Sequence, residues 1–230
     1  MDVKILELIE GAKLAKGVTV VIDVFRAMTV ESYLVRNNVF DLIPMGNLED
    51  AYAFRDAHPG TLLVGEREGK KCMGFDYGNS PSQIKNIDFS GKTVVHTTSA
   101  GTQGIANAIN ASEILLAGFV NANATAEYIK RKNPEFVSLV CMGLAGMEST
   151  KEDTLCAEYI KSILTGNKMN LTDGFEECKR TSGAKFFDTK LQDVFPEEDF
   201  YLSLQPDIFD FALCVKKGND GFMHTIKKII

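Results

Sequence analysis

An aspartate at the end of an apolar segment is the first residue whose position suggests chemistry. Asp23 lies near the end of the run Val18–Val24, which has the β-branched composition of a buried strand. Burial raises the pKa of a carboxyl group unless a cation compensates its charge. Arg26 follows three residues later, and a guanidinium at a strand-to-helix junction can bind a phosphate through two hydrogen bonds. A simple helix cap is the alternative role for Asp23.

A second segment is rich in hydroxyl groups and contains a glycine. A strand is predicted to end and a helix to begin there, and the amides of a helix N-terminus together with hydroxyls bind anions. One hydroxyl is enough to cap a helix, so capping and anion binding both fit the pattern. The candidate phosphate-binding residues of this segment are Thr97, Thr98, Ser99, Gly101 and Thr102.

Three further segments contain candidate residues. Glu66 and Arg67 follow a predicted strand, and an exposed ion pair of little energetic value is their alternative role. Glu152 and Asp153 occupy the first turn of a predicted helix, where acidic residues are also common for electrostatic reasons. A glycine-rich segment, which by itself indicates only a surface turn, contains Asp76, Asn79 and Ser80.

Three common phosphate-handling motifs are absent. Asn86 occupies the first glycine position of a Walker A loop that would end at Lys92-Thr93. No cysteine precedes an arginine by six positions, as a cysteine phosphatase requires, and Phe25 stands where a haloacid-dehalogenase phosphatase has its second aspartate. The sequence therefore excludes these mechanisms.

Short apolar runs alternate with amphipathic segments along most of the chain. Strands are predicted at 18–24, 40–44, 61–65, 92–98, 113–119 and 136–142, and helices at 27–37, 48–58, 101–110, 122–132, 151–164 and 173–181. This alternation predicts an α/β fold, layered, with a mainly parallel sheet flanked by helices. Ligands of such folds bind beyond the carboxyl ends of the strands. We expect one catalytic domain over residues 1–230, with a second lobe from about residue 165 as the alternative.

Composition limits the classes of function. The chain has 230 residues and a formal net charge of -6, which disfavours binding to nucleic acid or to an anionic membrane. No segment approaches the apolar length of a membrane-spanning helix. Five cysteines without the spacing of a metal or redox pair fit a reducing compartment. We therefore expect a cytoplasmic protein without nucleic-acid or membrane partners and, on general grounds, a homo-oligomer.

Five motifs in order give the chain a resemblance to a known family. They are Asp23–Ala27, Gly65–Arg67, Gly74–Pro81, Thr97–Thr102 and Glu152–Ala157. Together they resemble the 2-phosphosulfolactate phosphatases over about residues 18 to 160. Met28 and Ala100 depart from the family pattern, where threonine and asparagine are usual. These departures bear on the substrate more than on the reaction class.

The resemblance implies a magnesium-dependent hydrolase that releases phosphate from 2-phospho-3-sulfolactate, a step toward coenzyme M. The expected partner is therefore a small acidic phosphomonoester. Two alternatives remain open, a phosphatase of the same fold acting on another small 2-phospho-hydroxy acid and a non-catalytic anion-binding protein. They differ from the first interpretation in substrate and in the need for Mg²⁺.

Within this interpretation the candidate residues receive roles. We expect catalysis to depend on Asp23, Arg26, Glu66 and Asp76. The expected Mg²⁺ ligands are Asp23, Asp76, Glu152 and Asp153. The phosphate, or the sulfonate and carboxylate of the substrate, would contact Arg67, Asn79, Ser80 and the hydroxyl-rich segment at 97–102.

Overall fold

The computed structural model describes residues 1–230, which form ten strands and nine α-helices. The strands are β1 (Asp2–Glu7), β2 (Gly17–Ile22), β3 (Asp41–Pro44), β4 (Leu62–Arg67), β5 (Lys70–Lys71), β6 (Thr93–Thr97), β7 (Ala111–Ala117), β8 (Phe136–Cys141), β9 (Phe211–Lys217) and β10 (Met223–Ile229). The helices are α1 (Leu8–Leu14), α2 (Ala27–Arg36), α3 (Leu48–Ala57), α4 (Pro81–Ile84), α5 (Gly101–Asn107), α6 (Ala122–Lys132), α7 (Lys151–Thr165), α8 (Thr172–Arg180) and α9 (Glu197–Ser203).

The strands are divided between two sheets. The larger sheet has the order β1-β8-β2-β7-β9-β10, and the smaller has the order β3-β6-β4-β5. Pairing is parallel among β1, β8, β2 and β7 and among β3, β6 and β4, whereas β5, β9 and β10 pair antiparallel. The predicted α/β class with mainly parallel sheets and flanking helices is confirmed, but the sequence pattern did not indicate two separate sheets.

The central strands of the larger sheet are apolar on both faces. Alternate residues of a strand point to opposite faces, and here Val21 and Leu116 pack in one core cluster while Val20 and Leu115 pack in another. Helices cover both faces of this sheet, which explains why the sequences of these strands are continuous apolar runs. A smaller cluster around Leu63 belongs to the smaller sheet.

Residues after about 165 complete the larger sheet. They supply β9, which pairs with β7, and β10, which pairs with β9. Lys227 and Lys228, which resemble a basic tail in the sequence, lie within β10. The single-domain expectation and its alternative of a second lobe stay predictions. No helix has both the length and the apolar character needed to cross a membrane.

A histidine links β10 to the edge of the smaller sheet. His224 Nδ1 lies 2.7 Å from Asp41 Oδ1, and its Nε2 lies 3.1 Å from both carboxylate oxygens of Asp220. Partial burial by itself lowers the pKa of His224, but the hydrogen bonds with the two aspartates outweigh it, so the pKa lies above its usual value. The charged form of His224 therefore stabilises the folded state.

We expect this contact to make stability depend on pH. The contribution is fully present below the unfolded-state pKa of about 6.5 and is lost as pH rises through the higher folded-state pKa. The unfolding free energy of the wild-type protein should decrease between about pH 6 and pH 9, and His224→Gln should make this decrease smaller. The difference should be at most about 1 kcal/mol because the pair is partly solvated. Urea denaturation of both proteins across this range measures the effect, and parallel profiles would contradict it.

Candidate active site

A small cavity lies where strands of both sheets end. It has a volume of about 130 Å³, below the roughly 300 Å³ at which pockets for drug-sized ligands begin. Asp23 follows β2, Glu66 belongs to β4, Ser99 follows β6 and Gly143 follows β8, and all four line the cavity. Distant segments thus meet at one crevice, as expected for the carboxyl ends of parallel strands. The cavity suits a small ligand.

Asp23 is buried at the cavity wall. Its Oδ1 accepts a hydrogen bond of 3.2 Å from the amide of Ala27, so the carboxylate also binds the start of α2. Burial raises the pKa of Asp23 to about 6, the amide of Ala27 partly opposes this shift, and the negative charges of Glu66 and Glu152 add to it. A carboxyl group with this pKa can accept a proton near neutral pH.

Glu152 and Asp153 are both buried at the start of α7, but only Glu152 lines the cavity. Its Oε2 accepts a hydrogen bond from the hydroxyl of Ser182, and burial raises its pKa. Asp153 lies behind it and accepts amide hydrogen bonds of 2.8 Å from Val24 and Gly143. Burial, followed by the charges of Glu152 and Asp23, raises the pKa of Asp153 well above its usual value. Asp153 therefore fixes the two loops that carry cavity residues.

Glu66 joins two loops at the cavity. Its Oε1 accepts a hydrogen bond of 2.7 Å from the amide of Ser99. Its Oε2 accepts one of 2.6 Å from the amide of Gly69 and one of 3.2 Å from the Ser99 hydroxyl. The carboxylate thus positions Ser99 and also contributes negative charge to the site.

Arg26 lines the cavity but has a buried counterion. Its Nη1 donates to Asp199 Oδ2 and to the carbonyl of Val194, both at 2.8 Å, and its Nη2 donates to the carbonyl of Gly69 at 3.2 Å. The side chains of Arg26 and Asp199 are 4% and 0% exposed. Because a buried pair of this kind largely cancels its own charge, Arg26 adds little net positive charge to the cavity.

Arg67 and most of the hydroxyl-rich segment bind other protein groups. Arg67 does not line the cavity, and its Nη2 donates to Thr97 Oγ1 at 2.9 Å. The amide of Thr98 donates to Thr102 Oγ1 at 3.0 Å, and the amide of Thr102 donates to Thr98 Oγ1 at 3.2 Å. These contacts join the end of β6 to the start of α5. Ser99 is the hydroxyl-bearing residue of this segment that lines the cavity.

Gly101 lies at a close approach of α5 to α2. A Cβ atom there would lie 2.7 Å from Ala27 Cβ and Met28 Cε and 2.9 Å from Asp23 Oδ2. We expect Gly101→Ala to destabilise the protein by about 1–3 kcal/mol through overpacking and to reduce activity by displacing Asp23. Thermal unfolding measures the first effect. Gly46→Ala is the control, because its nearest neighbour, at 3.2 Å, is the flexible side chain of Gln103, and an equal loss in both variants would contradict the argument.

The glycine-rich segment from Gly74 to Pro81 is divided by the structure. Asn79 lines the cavity. Ser80 instead donates its hydroxyl to Asp199 Oδ1 at 2.9 Å. Asp76 is exposed and accepts a hydrogen bond of 2.8 Å from the amide of Leu63. The structure does not place Asp76 with Asp23, Glu66 and Glu152, because its carboxylate turns toward the β4 backbone.

Lys185 is a cavity residue that sequence reasoning missed. It lies in a short 3-10 turn, Ala184–Phe187, and its Nζ is 5.1 Å from the ring centre of Phe195. Burial lowers the pKa of Lys185, while the charge of Glu152 raises it. No carboxylate lies within ion-pair distance of its ammonium group. Its only signal in the sequence is a cationic residue beside two phenylalanines, which is too common to single it out.

The cavity combines groups for handling an anion but has no preformed metal cage. The ammonium of Lys185 and the amide of Asn79 are hydrogen-bond donors, whereas the hydroxyl of Ser99 already donates to Glu66. The acidic groups provide only oxygen ligands. No group of three or more His, Cys, Asp and Glu side chains is arranged to hold a metal ion. The site can therefore bind a small anion and exchange a proton with it.

Comparisons with known proteins show the family of the chain. The family model described as 2-phosphosulpholactate phosphatase matches residues 3–218. A protein of Bacillus subtilis (strain 168) named "Probable 2-phosphosulfolactate phosphatase" is 33% identical over 217 residues, which cover 93% of this chain and 92% of that protein. A protein of the same name from Clostridium perfringens (strain 13 / Type A) is 30% identical over 225 residues, 91% of this chain and 90% of that protein. The chain therefore belongs to the 2-phosphosulfolactate phosphatase family, a family of phosphoric monoester hydrolases.

Proposed function

We propose that the protein hydrolyses the phosphate ester of 2-phospho-3-sulfolactate, giving 3-sulfolactate and phosphate, with the help of Mg²⁺. The observation that carries this proposal is the cavity that unites Asp23 and Glu152 with the unpaired ammonium group of Lys185. Family membership over residues 3–218 supports the reaction class. From the family resemblance we infer that this hydrolysis is a step toward coenzyme M.

Two donor groups are suited to bind the phosphate. Lys185 supplies a positive charge and Asn79 supplies an amide, and both residues line the cavity. Hydrogen bonds between charged donors and phosphate oxygens are stronger than neutral ones. Removal of one such donor from the transition state typically costs about 10²-fold or more in rate. Lys185 is therefore the main anion-binding residue of the proposal.

The charge balance of the cavity favours a divalent cation. Four acidic residues, Asp23, Glu66, Glu68 and Glu152, line the cavity together with one ammonium group that has no ion-pair partner. A substrate with phosphate, carboxylate and sulfonate groups would therefore be repelled. Mg²⁺ prefers oxygen ligands and usually binds through one or two carboxylates, water and substrate phosphate. Asp23 and Glu152 fit this requirement, and Asp153 supports them from behind. When bound, Mg²⁺ would neutralise charge on the phosphate oxygens.

The proton transfers follow from the carboxylates at the cavity wall. A water molecule attacks phosphorus, a new P–O bond forms, and the bond from phosphorus to the ester oxygen breaks. Asp23 accepts the proton of the attacking water, because its carboxylate lines the cavity and can act as a general base. The departing oxygen of the sulfolactate takes up a proton from solvent water, and Asp23 releases its proton to solvent after the phosphate has left. We assign Asp76 no role in this scheme, because it does not line the cavity.

Phosphate release in the presence and absence of a chelator tests the proposal. The purified protein should release phosphate from 2-phospho-3-sulfolactate, lose this activity in EDTA and regain it with excess Mg²⁺. A non-catalytic anion-binding protein would bind inorganic phosphate with or without EDTA and release none from the ester. Turnover that is unaffected by chelation would contradict the metal requirement alone.

A panel of substrates distinguishes the proposal from a related phosphatase. The panel comprises 2-phosphoglycolate, 2-phospholactate and 2-phospho-3-sulfolactate, which differ in the group attached to the same phosphorylated carbon. We expect the highest kcat/KM with the sulfonated substrate. A higher value with either of the others would assign the chain a different 2-phospho-hydroxy acid within the same reaction class.

The compartment and assembly state remain part of the proposal. All five cysteines are free thiols and are buried, which supports a cytoplasmic location because disulfides are rare there. The expected homo-oligomer stays a prediction, and size-exclusion chromatography with light scattering tests it.

A further inference from the structure

A chain of buried hydrogen bonds runs behind the cavity wall to Asn79. His96 in β6 lies with its Nε2 3.2 Å from Asn79 Oδ1 and with its Nδ1 3.1 Å from Glu31 Oε1. Glu31 Oε2 accepts a hydrogen bond of 2.7 Å from the hydroxyl of Thr225. Glu31 and His96 are 0% exposed and Asn79 is 5% exposed. Such a network in a low-dielectric interior fixes the orientation of its members.

The two neighbours of His96 determine where its hydrogens lie. An amide oxygen accepts and cannot donate, so Nε2 must carry the hydrogen in the contact with Asn79 Oδ1. On the other side, Nδ1 is hydrogen-bonded to the carboxyl group of Glu31 at 3.1 Å. The Glu31–His96 pair therefore presents a donor to Asn79.

The Asn79 amide has the orientation that this donor requires. Because Oδ1 is turned toward His96, the NH₂ group is on the other side of the amide, and Asn79 lines the cavity. No protein group accepts a hydrogen bond from this NH₂ group within the described chain. A reversed amide would place an oxygen there, which would repel a phosphate oxygen instead of binding it.

We propose that Glu31 and His96 are positioning residues that hold the Asn79 amide with its NH₂ group toward the cavity, where it donates a hydrogen bond to a phosphate oxygen of the substrate. This inference rests on the proposed function for the identity of the ligand. Neither Glu31 nor His96 lines the cavity, so both act through Asn79. The pair would contribute most in the transition state, where negative charge develops on the phosphoryl oxygens.

Two substitutions of His96 separate positioning from a general structural role. Glutamine places an amide nitrogen near the position of Nε2 and can still donate to Asn79, whereas asparagine reaches only as far as Nδ1 and contacts Glu31 alone. We expect His96→Asn to lower kcat/KM by about tenfold or more and His96→Gln to retain most of it. Equal losses in the two variants would overturn the proposal.

A double-mutant cycle tests whether His96 acts through Asn79. Asn79→Ala should lower kcat/KM about as much as His96→Asn, and the double variant should be no less active than Asn79→Ala alone. Losses that multiply would show that His96 contributes independently of Asn79, contrary to the proposal. Thermal unfolding of each variant reports whether it folds.

An NMR measurement that does not depend on catalytic activity tests this inference separately from the proposed function. The chain has three histidines, so ¹⁵N-histidine labelling allows the ring nitrogens of His96 to be assigned with a His96→Gln reference spectrum. We expect a hydrogen on Nε2 in the wild-type protein. An unprotonated Nε2 would overturn the positioning inference, whatever the activity. A protonated Nε2 in a protein that hydrolyses no phosphomonoester would support the geometry and contradict the proposed function alone.

Discussion

Replacement of Asp23 by asparagine is expected to remove most of the turnover and at the same time to stabilise the protein. The asparagine side chain cannot accept the proton of the attacking water, and loss of a positioned general base typically lowers kcat by about 10²-fold or more. The stabilisation has an electrostatic cause. The pKa of Asp23 is raised to about 6, so its ionised form costs the folded state free energy at neutral pH.

The sign of this stability effect follows from the two pKa values. The folded state holds the proton of Asp23 more tightly than the unfolded state. The free energy of unfolding therefore decreases as pH rises from about 4 to 6, and it stays lower by the full amount above that range. Asparagine does not titrate. The variant should therefore gain up to about 3 kcal/mol of unfolding free energy near pH 7. Urea denaturation in EDTA measures this gain without interference from bound metal.

Asp76→Asn is the matched control for this substitution. It makes the same chemical change at an exposed residue of the Gly74–Pro81 segment, outside the cavity. We expect kcat and Mg²⁺ affinity near the wild-type values. Unchanged turnover and Mg²⁺ affinity in Asp23→Asn would contradict the role of Asp23, and a large loss in Asp76→Asn would restore the catalytic role first predicted for Asp76.

Replacement of Lys185 by methionine is expected to lower kcat/KM by about 10²-fold or more. Methionine keeps much of the apolar length of the side chain against Phe195 and removes the one ammonium group that faces the cavity without an ion-pair partner. The remaining carboxylates would then repel the phosphate. Steady-state kinetics and a titration with inorganic phosphate, each at saturating Mg²⁺, measure the effect on turnover and on anion binding.

Lys179→Met provides the control for the charge change. Lys179 lies on α8 with its ammonium 4.5 Å from the ring centre of Phe187, but it does not line the cavity. This variant should retain its activity and its affinity for phosphate. If both lysine variants lost activity equally, overall charge rather than the position of Lys185 would explain the loss.

Much of the fold is predictable from the sequence because each central element has a strong local pattern. The apolar runs that became β2, β7 and β8 are buried on both faces, and α6 spans the predicted residues, Ala122–Lys132. The division into two sheets is not local. It depends on which strands pair, and β9 inserts beside β7 only because the last third of the chain folds back. Strand β10 has a sequence with two adjacent lysines, Lys227 and Lys228, and little apolar alternation, which conceals its pairing.

The candidate site was predictable in its position but not in the orientation of its side chains. The sequence indicates that Asp23, Glu66 and Glu152 follow or begin regular elements near one edge. Whether a polar side chain then points into a cavity or toward a neighbouring backbone amide depends on contacts between distant segments. Asp76 illustrates this, because its partner is the amide of Leu63 across a loop. Lys185 was missed for the same reason, since its neighbours in the cavity come mainly from the first two thirds of the chain.

The ion pair between Arg26 and Asp199 joins residues 173 positions apart. A chain emerging from the ribosome has therefore completed all five family motifs, up to Ala157, before the partner of Arg26 has been synthesised. Until that time Arg26 lacks both its counterion and the residues that bury it, and Lys185 and Phe195 are absent from the cavity. Contacts of such long sequence separation close late and slow folding. The protein should therefore become able to hydrolyse its substrate in one late step, after the ribosome has synthesised α9.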